Sequence, residues 1–255
     1  MPRDGTKVAV DAGGQAVATP VLAVGLGRGA NGKSSGLAEM KWRAEAAGRR
    51  VLVLDGDYHR SKTLTELFPD DATHPDTAEP ADVKAWLSRG LNTIASERVS
   101  AILDLGTETR LLEEYCRDLR LVEFCRRRGI APLAAYFLGP EPEDLRHVLA
   151  VWRGGYFRPE RTLLVVNEGV VRGGKTVAGA FDATMADAGF QEMVASGVKP
   201  ILMNRLACMD EARRPGVGFY RAAETLDPVQ GFMSEDWTEA LEAKRVKVGA
   251  VDWLP

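Results

Sequence analysis

Short and nearly continuous apolar runs recur along the chain, separated by longer segments with helical periodicity. Continuous runs, as opposed to alternating ones, are typical of strands that are buried on both faces of a parallel sheet. The six runs that we expect to form strands are residues 21–24, 51–54, 101–103, 133–138, 163–166 and 200–203. Their alternation with helical segments favours a doubly wound α/β fold, in which helices flank a mainly parallel sheet.

The intervening segments predict the crossover helices. The helices that we expect cover residues 33–47, 81–97, 110–128 and 141–152, with a short one near 220–224 and a last one over 235–247. Residues 68–80 are rich in Pro and Asp and predict a long loop. Because no internal repeat or flexible linker divides the chain, we predict a single domain over residues 18–255, preceded by a flexible arm at 1–17.

Composition and charge limit the function classes. The chain has 255 residues, a net charge of −3 and 45% hydrophobic residues, which excludes a basic field over the whole surface. The apolar runs are too short to span a membrane, and the N-terminus lacks the apolar core of a secretory signal. The widely spaced Cys116, Cys125 and Cys208 are expected to be reduced, buried thiols. We therefore expect a cytoplasmic protein with no membrane partner.

A phosphate-binding loop is predicted between the first strand and the first helix. Residues 27–34, with the sequence GRGANGKS, fit the P-loop pattern G-x-x-x-x-G-K-[ST] without a mismatch. Glycines let backbone N–H groups turn towards phosphate oxygens, and the helix N-terminus adds partial positive charge. Lys33 is then expected to reach the β- and γ-phosphates, and Ser34 to ligate Mg²⁺. The residues expected to contact the nucleotide are Gly27, Arg28, Gly29, Ala30, Asn31, Gly32, Lys33, Ser34 and Ser35.

The same stretch also fits a competing fingerprint. Residues 25–30 match the dinucleotide pattern G-x-G-x-x-[GA], and Asp55 stands where a ribose-binding acid would lie. A dinucleotide loop, however, has no need of a Lys-Ser pair at the start of the helix. It also does not predict a second carboxylate at Asp57 or an acid at the end of the third strand. Pattern and context together favour the P-loop.

Acidic residues end two of the predicted strands. Asp55 and Asp57 follow the second run, and Asp104 follows the third. Ligands of open α/β sheets bind beyond the carboxyl ends of the strands, so these acids are expected on the edge that holds the phosphate loop. Asp104 suits a Mg²⁺ ligand, and Asp57 suits the orientation of an attacking water, with Asp55 behind them. An Asp after a strand is also a common turn former or helix cap, and the sequence leaves that alternative open.

These residues resemble the ParA/MinD group of P-loop ATPases, whose loop reads K-G-G-x-G-K-[ST]. The segment at 28–34 corresponds to that loop, the DGD at 55–57 resembles the family's D-x-D strand end, and Asp104 resembles its metal-site acid. Asn167, which ends the run LVVN, resembles the Asn that helps to bind the nucleotide base. The resemblance extends in order over residues 18–205.

The resemblance implies an ATPase that uses Mg²⁺, sandwiches ATP between the subunits of a homodimer, and hydrolyses ATP slowly to ADP as a timer for an unidentified protein partner. In that family, the lysine at the Arg28 position crosses to the phosphates of the partner subunit. This sequence departs from the pattern, with Arg28 in place of that lysine and Ala30 in place of the second glycine. Arginine keeps the charge in a bulkier, planar form, so Arg28 is expected to clamp phosphate within or across the dimer.

The second half of the chain carries a narrower likeness. The NEGVV at 167–171, the GGK at 173–175 and the F-x-x-x-D-W at 232–237 resemble plasmid transfer and mobilisation ATPases of the TraL/MobD type. This likeness implies a role in plasmid partition, mobilisation or conjugative transfer.

Other charged residues have simpler explanations. The arginines at 126–128, with Arg117 and Arg120, are candidates for nonspecific contacts with DNA phosphates, as in ParA-like proteins. Basic residues in a last helical turn also interact favourably with the helix dipole, and we favour that explanation. The histidines, His59, His74 and His147, have no metal-ligand spacing.

Two alternatives of other classes stay open. A small-molecule kinase or ligase could use the same loop, with a substrate pocket under residues 68–80. A catalytically quiet adaptor could bind ATP or ADP through the altered loop without useful hydrolysis.

Overall fold

The computed structural model describes residues 19–57, 63–106, 109–172 and 176–255. The predicted arm at 1–17, His59 and the GGK at 173–175 lie outside the described residues. The strands are β1 (Val21–Leu26), β2 (Val51–Asp55), β3 (Ala72–Thr73), β4 (Ser100–Asp104), β5 (Ala131–Leu138), β6 (Arg161–Asn167) and β7 (Lys199–Met203). The α-helices are α1 (Lys33–Ala46), α2 (Thr63–Leu67), α3 (Pro80–Glu97), α4 (Thr109–Leu119), α5 (Leu121–Arg127), α6 (Pro142–Gly154), α7 (Asp182–Ala186), α8 (Ala188–Ala195), α9 (Met209–Ala212), α10 (Ala222–Thr225) and α11 (Pro228–Val248).

The strands form one all-parallel sheet with the order β3-β2-β4-β1-β5-β6-β7. All six predicted strands are present, and the doubly wound parallel fold is confirmed. β1 is flanked by β4 and β5, neither of which follows it directly in the chain. Ligand crevices of open α/β sheets form where the strand order reverses in this way, so the carboxyl end of β1 is the expected position of a site.

Helices cover both faces of the sheet and bury its side chains. Alternate residues of β1 belong to different cores: Leu22 and Val24 pack with α3 to α6, whereas Val21 and Ala23 pack with α1, α2 and α11. Because both faces are buried, the strands read as continuous apolar runs and not as alternating ones.

One predicted helix is wrong in detail. Residues 110–128 form two helices, because Arg120 has a left-handed backbone with φ 53° and ends the first of them. The break changes which side of the helical segment is buried. Cys116 is buried on α4, and the next buried positions are Leu121 and Cys125. A continuous helix would have kept the three- and four-residue spacing and turned Leu121 away from the core.

Several short elements escaped prediction from the sequence. The strand β3 lies inside the predicted loop at 68–80, and α2, α7, α8 and α9 each have eight residues or fewer. The last helix begins seven residues earlier than predicted, at Pro228, where the Asp227 side chain accepts hydrogen bonds from two backbone N–H groups of its first turn. An Asp followed by Pro is a recognisable helix start, so this signal was present in the sequence.

Other sequence predictions concern burial. Cys116, Cys125 and Cys208 are buried free thiols, as expected, and burial raises the pKa of Cys116 and of Cys125 to about 12. Across the described ranges, no helix is both long and apolar enough to cross a bilayer.

Candidate functional site

The loop between β1 and α1 requires glycine at two positions. Gly27 has φ 133°, and a Cβ there would lie 2.5 Å from the backbone oxygen of Phe137 on the neighbouring strand β5. Gly32 has φ 81°, and a Cβ there would lie 2.2 Å from Nδ2 of Asn167. Both left-handed backbones turn the chain from the end of β1 into the N-terminus of α1. The loop is therefore held tightly between the carboxyl ends of β5 and β6.

Lys33 is the first residue of α1, and its side chain folds back over the loop. Its Nζ donates a hydrogen bond of 3.3 Å to the backbone oxygen of Arg28, and the residue is 6% exposed. A buried ammonium that faces the N-terminus of a helix creates strong positive potential. The loop therefore brings a lysine and the N-terminus of a helix to one side of a cleft, as phosphate binding requires.

Ser34 and Asp104 meet at the start of α1. The Ser34 hydroxyl donates a 2.8 Å hydrogen bond to Oδ2 of Asp104, and Gly106 N–H donates one of 2.9 Å to Oδ1. Parallel pairing of β1 with β4 places Gly25 opposite Asp104, which brings this carboxylate to the loop. Burial raises the pKa of Asp104, while Lys33 and the two hydrogen bonds oppose this shift. A hydroxyl and a desolvated carboxylate are oxygen ligands that suit Mg²⁺, so these two residues fit the predicted metal role.

The two acids at the end of β2 differ in their contacts. Asp55 is 3% exposed and accepts hydrogen bonds from Asp57 N–H at 3.2 Å, Thr65 N–H at 2.8 Å and the Thr65 hydroxyl at 2.9 Å. It therefore fastens α2 to the sheet, in agreement with a position behind the site. Asp57 lines the cleft, and a Cβ on Gly106 would lie 2.8 Å from its Oδ1. Asp57 and Asp104 thus converge from neighbouring strands.

Asn167 supports the loop. It is 3% exposed, its Nδ2 donates a 3.0 Å hydrogen bond to the backbone oxygen of Asn31, and its Oδ1 accepts one of 2.9 Å from Gly169 N–H. Both polar atoms of the amide are thus bonded within the protein, although the residue borders the cleft. The predicted contact between Asn167 and the nucleotide base stays a prediction, and the structure adds a role in holding the loop.

Arg28 points away from the cleft. Its Nη1 forms a 3.0 Å ion pair with Oδ1 of Asp144 on α6, and its side chain is 45% exposed. Asp144 also accepts a hydrogen bond from Glu141 N–H in the capping box of that helix. The arginine at the position of the family's intersubunit lysine is therefore bound within its own chain.

These residues surround an open cleft of about 470 Å³, which is a size suited to a small-molecule ligand. The predicted residues that line it are Gly29, Ala30, Gly32, Lys33, Ser34, Ser35, Asp57, Asp104 and Asn167. Gly27, Arg28 and Asn31 are not among the lining residues, since each contacts the protein on the other side of the loop. The lining residues that the sequence did not indicate include Met203, Met209, Asp210 and Arg213. Met203 ends β7 and the other three follow it, so only the carboxyl-end position of this strand could have pointed to them.

Three of the five arginines considered for DNA contacts are paired with glutamates. Arg126 and Arg127 both pair with Glu123, and Arg117 pairs with Glu113. The same three arginines lie in the last turns of α4 and α5, where the helix dipole favours basic residues. In the described part of the chain, no group of three or more His, Cys, Asp or Glu residues is placed to hold a metal ion.

No protein-family model matches the chain, and no curated protein matches it. A putative plasmid partition protein from Borrelia burgdorferi B31 bound to AMPPNP has a similar structure, with a TM-score of 0.52 and 10% identity over 88% of this chain and 99% of that one. McdA from Cyanothece, in complex with ATP, gives a TM-score of 0.48 and 13% identity over 88% and 97% of the two chains. Chloroplast FtsY from Physcomitrella patens gives a TM-score of 0.49 and 14% identity over 72% of this chain. The match covers 58% of the FtsY chain.

The structural similarity to the partition protein shows a shared fold, and an identity of 10% leaves activity open. The TraL/MobD likeness stays a prediction from the sequence. The parallel sheet, its strand order and the similarity along the partition protein's length agree with one another. The chain has the fold of the P-loop NTPases.

Proposed function

We propose that this chain is a ParA/MinD-type ATPase, whose nucleotide state controls its dimerisation and its binding to a protein partner. The observation that carries the proposal is the pairing of Ser34 with Asp104 at 2.8 Å, beside Lys33, at the mouth of one cleft. Similarity to a partition protein bound to an ATP analogue supports ATP as the nucleotide. We place the activity in the cytoplasm, in a single domain over residues 18–255, and in plasmid partition, mobilisation or transfer.

The proposed roles combine the positions of these residues with the resemblance. Lys33 neutralises charge on the transferred phosphoryl group, Asp57 orients the attacking water, and Ser34 and Asp104 hold Mg²⁺. When bound, Mg²⁺ neutralises charge on the β- and γ-phosphates. Arg28 contributes positive charge within or across a homodimer. Nonspecific DNA binding rests on the resemblance alone, and three of the five arginines considered for it are paired with glutamates.

The first experiment measures mass in solution by light scattering, with Mg-ATP, with Mg-ADP and without nucleotide. We expect a mass that doubles with ATP only, and that stays single in Lys33→Ala and in Arg28→Ala. Lys247→Ala, at an exposed lysine of α11, is the matched control and should behave as the wild type. One mass in every state would contradict the switch.

A second experiment separates binding from turnover. Asp57→Ala is expected to bind a fluorescent ATP analogue with unchanged affinity and to lose phosphate release, since its role begins after binding. Lys33→Ala should lose both. Tight binding by the wild type without detectable phosphate release would instead support the quiet adaptor, which the left-handed Ala30 and the tethered Arg28 favour.

The kinase or ligase alternative meets a geometric difficulty. A cavity of about 280 Å³ borders Phe68 and Pro69, but it also contacts Trp42 and Glu45 of α1. Trp42 is nine residues along α1 from Lys33, which corresponds to about 14 Å. A substrate in this cavity would be too far from the γ-phosphate for transfer. Phosphate release that depends on an added organic acceptor would revive this alternative.

A further inference from the structure

Arg213 brings a cationic side chain to the cleft from the segment after β7, in addition to Lys33 and Arg172. It follows directly on the short helix α9 and lines the same cleft as Lys33, Ser34 and Ser35. Its neighbour Arg214 is exposed, whereas Arg213 is partly buried. Two adjacent arginines thus occupy different surroundings, and one of them faces the proposed nucleotide.

Within the described ranges, no hydrogen bond or ion pair compensates the guanidinium of Arg213. Burial lowers the pKa of Arg213, and the carboxylates of Asp210 and Glu66 oppose this shift only through space. Arg245, the deeply buried arginine of α11, differs: it forms an ion pair with Glu39 and a second one with Glu242. Removing a charge from water without a counter-ion is costly, so an uncompensated arginine favours an anion beside it.

A phosphate-bearing ligand in the cleft would supply that anion. Besides Arg213, the cations that line the cleft are Lys33, whose ammonium is turned towards the backbone oxygen of Arg28, and Arg172. A nucleoside di- or triphosphate carries more negative charge than one lysine neutralises. Guanidinium groups bind phosphate oxygens through charge-assisted hydrogen bonds, often two at a time.

We propose that Arg213 binds the phosphate chain of the nucleotide, and so couples the segment after β7 to nucleotide occupancy. The inference rests on the proposed function, because it assigns a contact to the ligand of that site. It adds a residue to the site from outside the P-loop and from outside the strand ends predicted from the sequence.

The test compares Arg213→Ala with Arg214→Ala, a matched loss of charge one residue away. Each variant is titrated with a fluorescent ADP analogue in the presence of Mg²⁺, and bound analogue is then displaced with tripolyphosphate, which has neither ribose nor base. We expect Arg213→Ala to weaken both ligands by about 10-fold, as for the loss of one charge-assisted hydrogen bond. Arg214→Ala should bind as the wild type does. Arg213→Lys should recover part of the affinity. If Arg213→Ala does not fold, Arg213→Lys takes its place in the comparison.

The other outcomes overturn the proposal. Unchanged affinity in Arg213→Ala, or an equal loss in both alanine variants, excludes a specific phosphate contact. Weaker binding of the ADP analogue with unchanged tripolyphosphate affinity assigns Arg213 to the ribose or the base. Failure of the wild type to bind either ligand would overturn the proposed function itself, which distinguishes that failure from the failure of this inference.

Discussion

The ion pair between Arg28 and Asp144, with 3.0 Å between Nη1 and Oδ1, fastens the phosphate loop to the first turn of α6. Asp144 is buried, whereas the arginine is about half exposed and could move into solvent. Any crossing of Arg28 to a partner subunit therefore requires this bond to break. The ion pair opposes a role of Arg28 across the proposed dimer, and its strength sets part of the free energy that such a crossing requires.

Weakening this ion pair should favour the dimer. Asp144→Asn removes the charge but keeps an oxygen that can accept from Glu141 N–H, so α6 stays capped. We expect ATP-dependent dimerisation at a protein concentration about 30-fold lower, because each of the two subunits would break one partly exposed ion pair of about 1 kcal/mol. Sedimentation at a series of protein concentrations measures this change. Glu143→Gln, which affects an exposed pair with Arg146 on the same helix, is the control. If Asp144→Asn instead loses the dimer, the ion pair is retained in the wild-type dimer and stabilises it.

Ala30 has φ 65°, a left-handed backbone that disfavours any residue with a Cβ. The strain costs about 1 kcal/mol, and a glycine would relieve it while adding conformational entropy to the unfolded chain. We expect Ala30→Gly to leave the free energy of unfolding within about 0.5 kcal/mol of the wild type. Ala85→Gly, at an exposed position of α3, should lower it by about 1 kcal/mol. Urea denaturation measures both, and an equal loss in the two variants would argue against strain at Ala30.

Asp104 should destabilise the nucleotide-free protein at neutral pH. Burial raises the pKa of Asp104 in the folded state. The folded protein therefore binds this proton more tightly than the unfolded chain does. Stability then falls as the pH rises from the ordinary Asp pKa through the raised one, and the cost persists above it. Asp104→Asn keeps the shape and removes the charge, so its Tm should exceed that of the wild type by a few degrees at pH 7. At low pH, where the carboxyl is protonated, the difference should vanish.

Thermal melts of both proteins across pH, without Mg²⁺ or nucleotide, check this expectation. Asp76→Asn, at a carboxylate that is 84% exposed, is the control and should leave the Tm unchanged. A lower Tm for Asp104→Asn at pH 7 would show that the carboxylate stabilises the empty site. Addition of Mg-ATP should reverse the order, because only the wild type retains the proposed metal ligand.

A buried ion pair joins α1 to α11 on the face opposite α6. Glu39 accepts a 2.9 Å hydrogen bond from Arg245 Nη1 and one of 2.6 Å from the Tyr220 hydroxyl, and both charged side chains are almost fully buried. Glu39→Ala leaves the arginine without its main counter-ion and should lower the free energy of unfolding by about 3 kcal/mol. Urea denaturation measures this loss.

Two further variants test the interpretation of that loss. The double variant Glu39→Leu with Arg245→Met should recover most of the stability, because well-packed apolar side chains can replace a buried pair. Glu97→Ala, in an exposed pair with Arg50, should cost less than about 1 kcal/mol. If the double variant is as unstable as Glu39→Ala, the lost stability of Glu39→Ala is due to packing and not to the unpaired charge of Arg245.

Much of this protein could be predicted from the sequence because its strongest signals are local. Continuous apolar runs identify six buried strands, and the GRGANGKS at 27–34 places a phosphate loop after the first of them. Parallel strands end at a common edge of the sheet, so the sequence alone predicts Asp57 and Asp104 beside Lys33. The fold class and the centre of the site followed from these patterns.

Tertiary structure decided what depends on partners distant in the chain. The break at Arg120 has no local signal, since it is set by the core that Leu121 and Cys125 reach. The bond from Arg28 to Asp144 joins residues far apart in sequence, and the arrival of Arg213 at the cleft depends on how the segment after β7 packs. Backbone preference and hydrophobic period act over a few residues and are readable in the sequence. Ion pairs, burial and the lining of a cleft are set by which distant segments meet, so only the folded chain determines them.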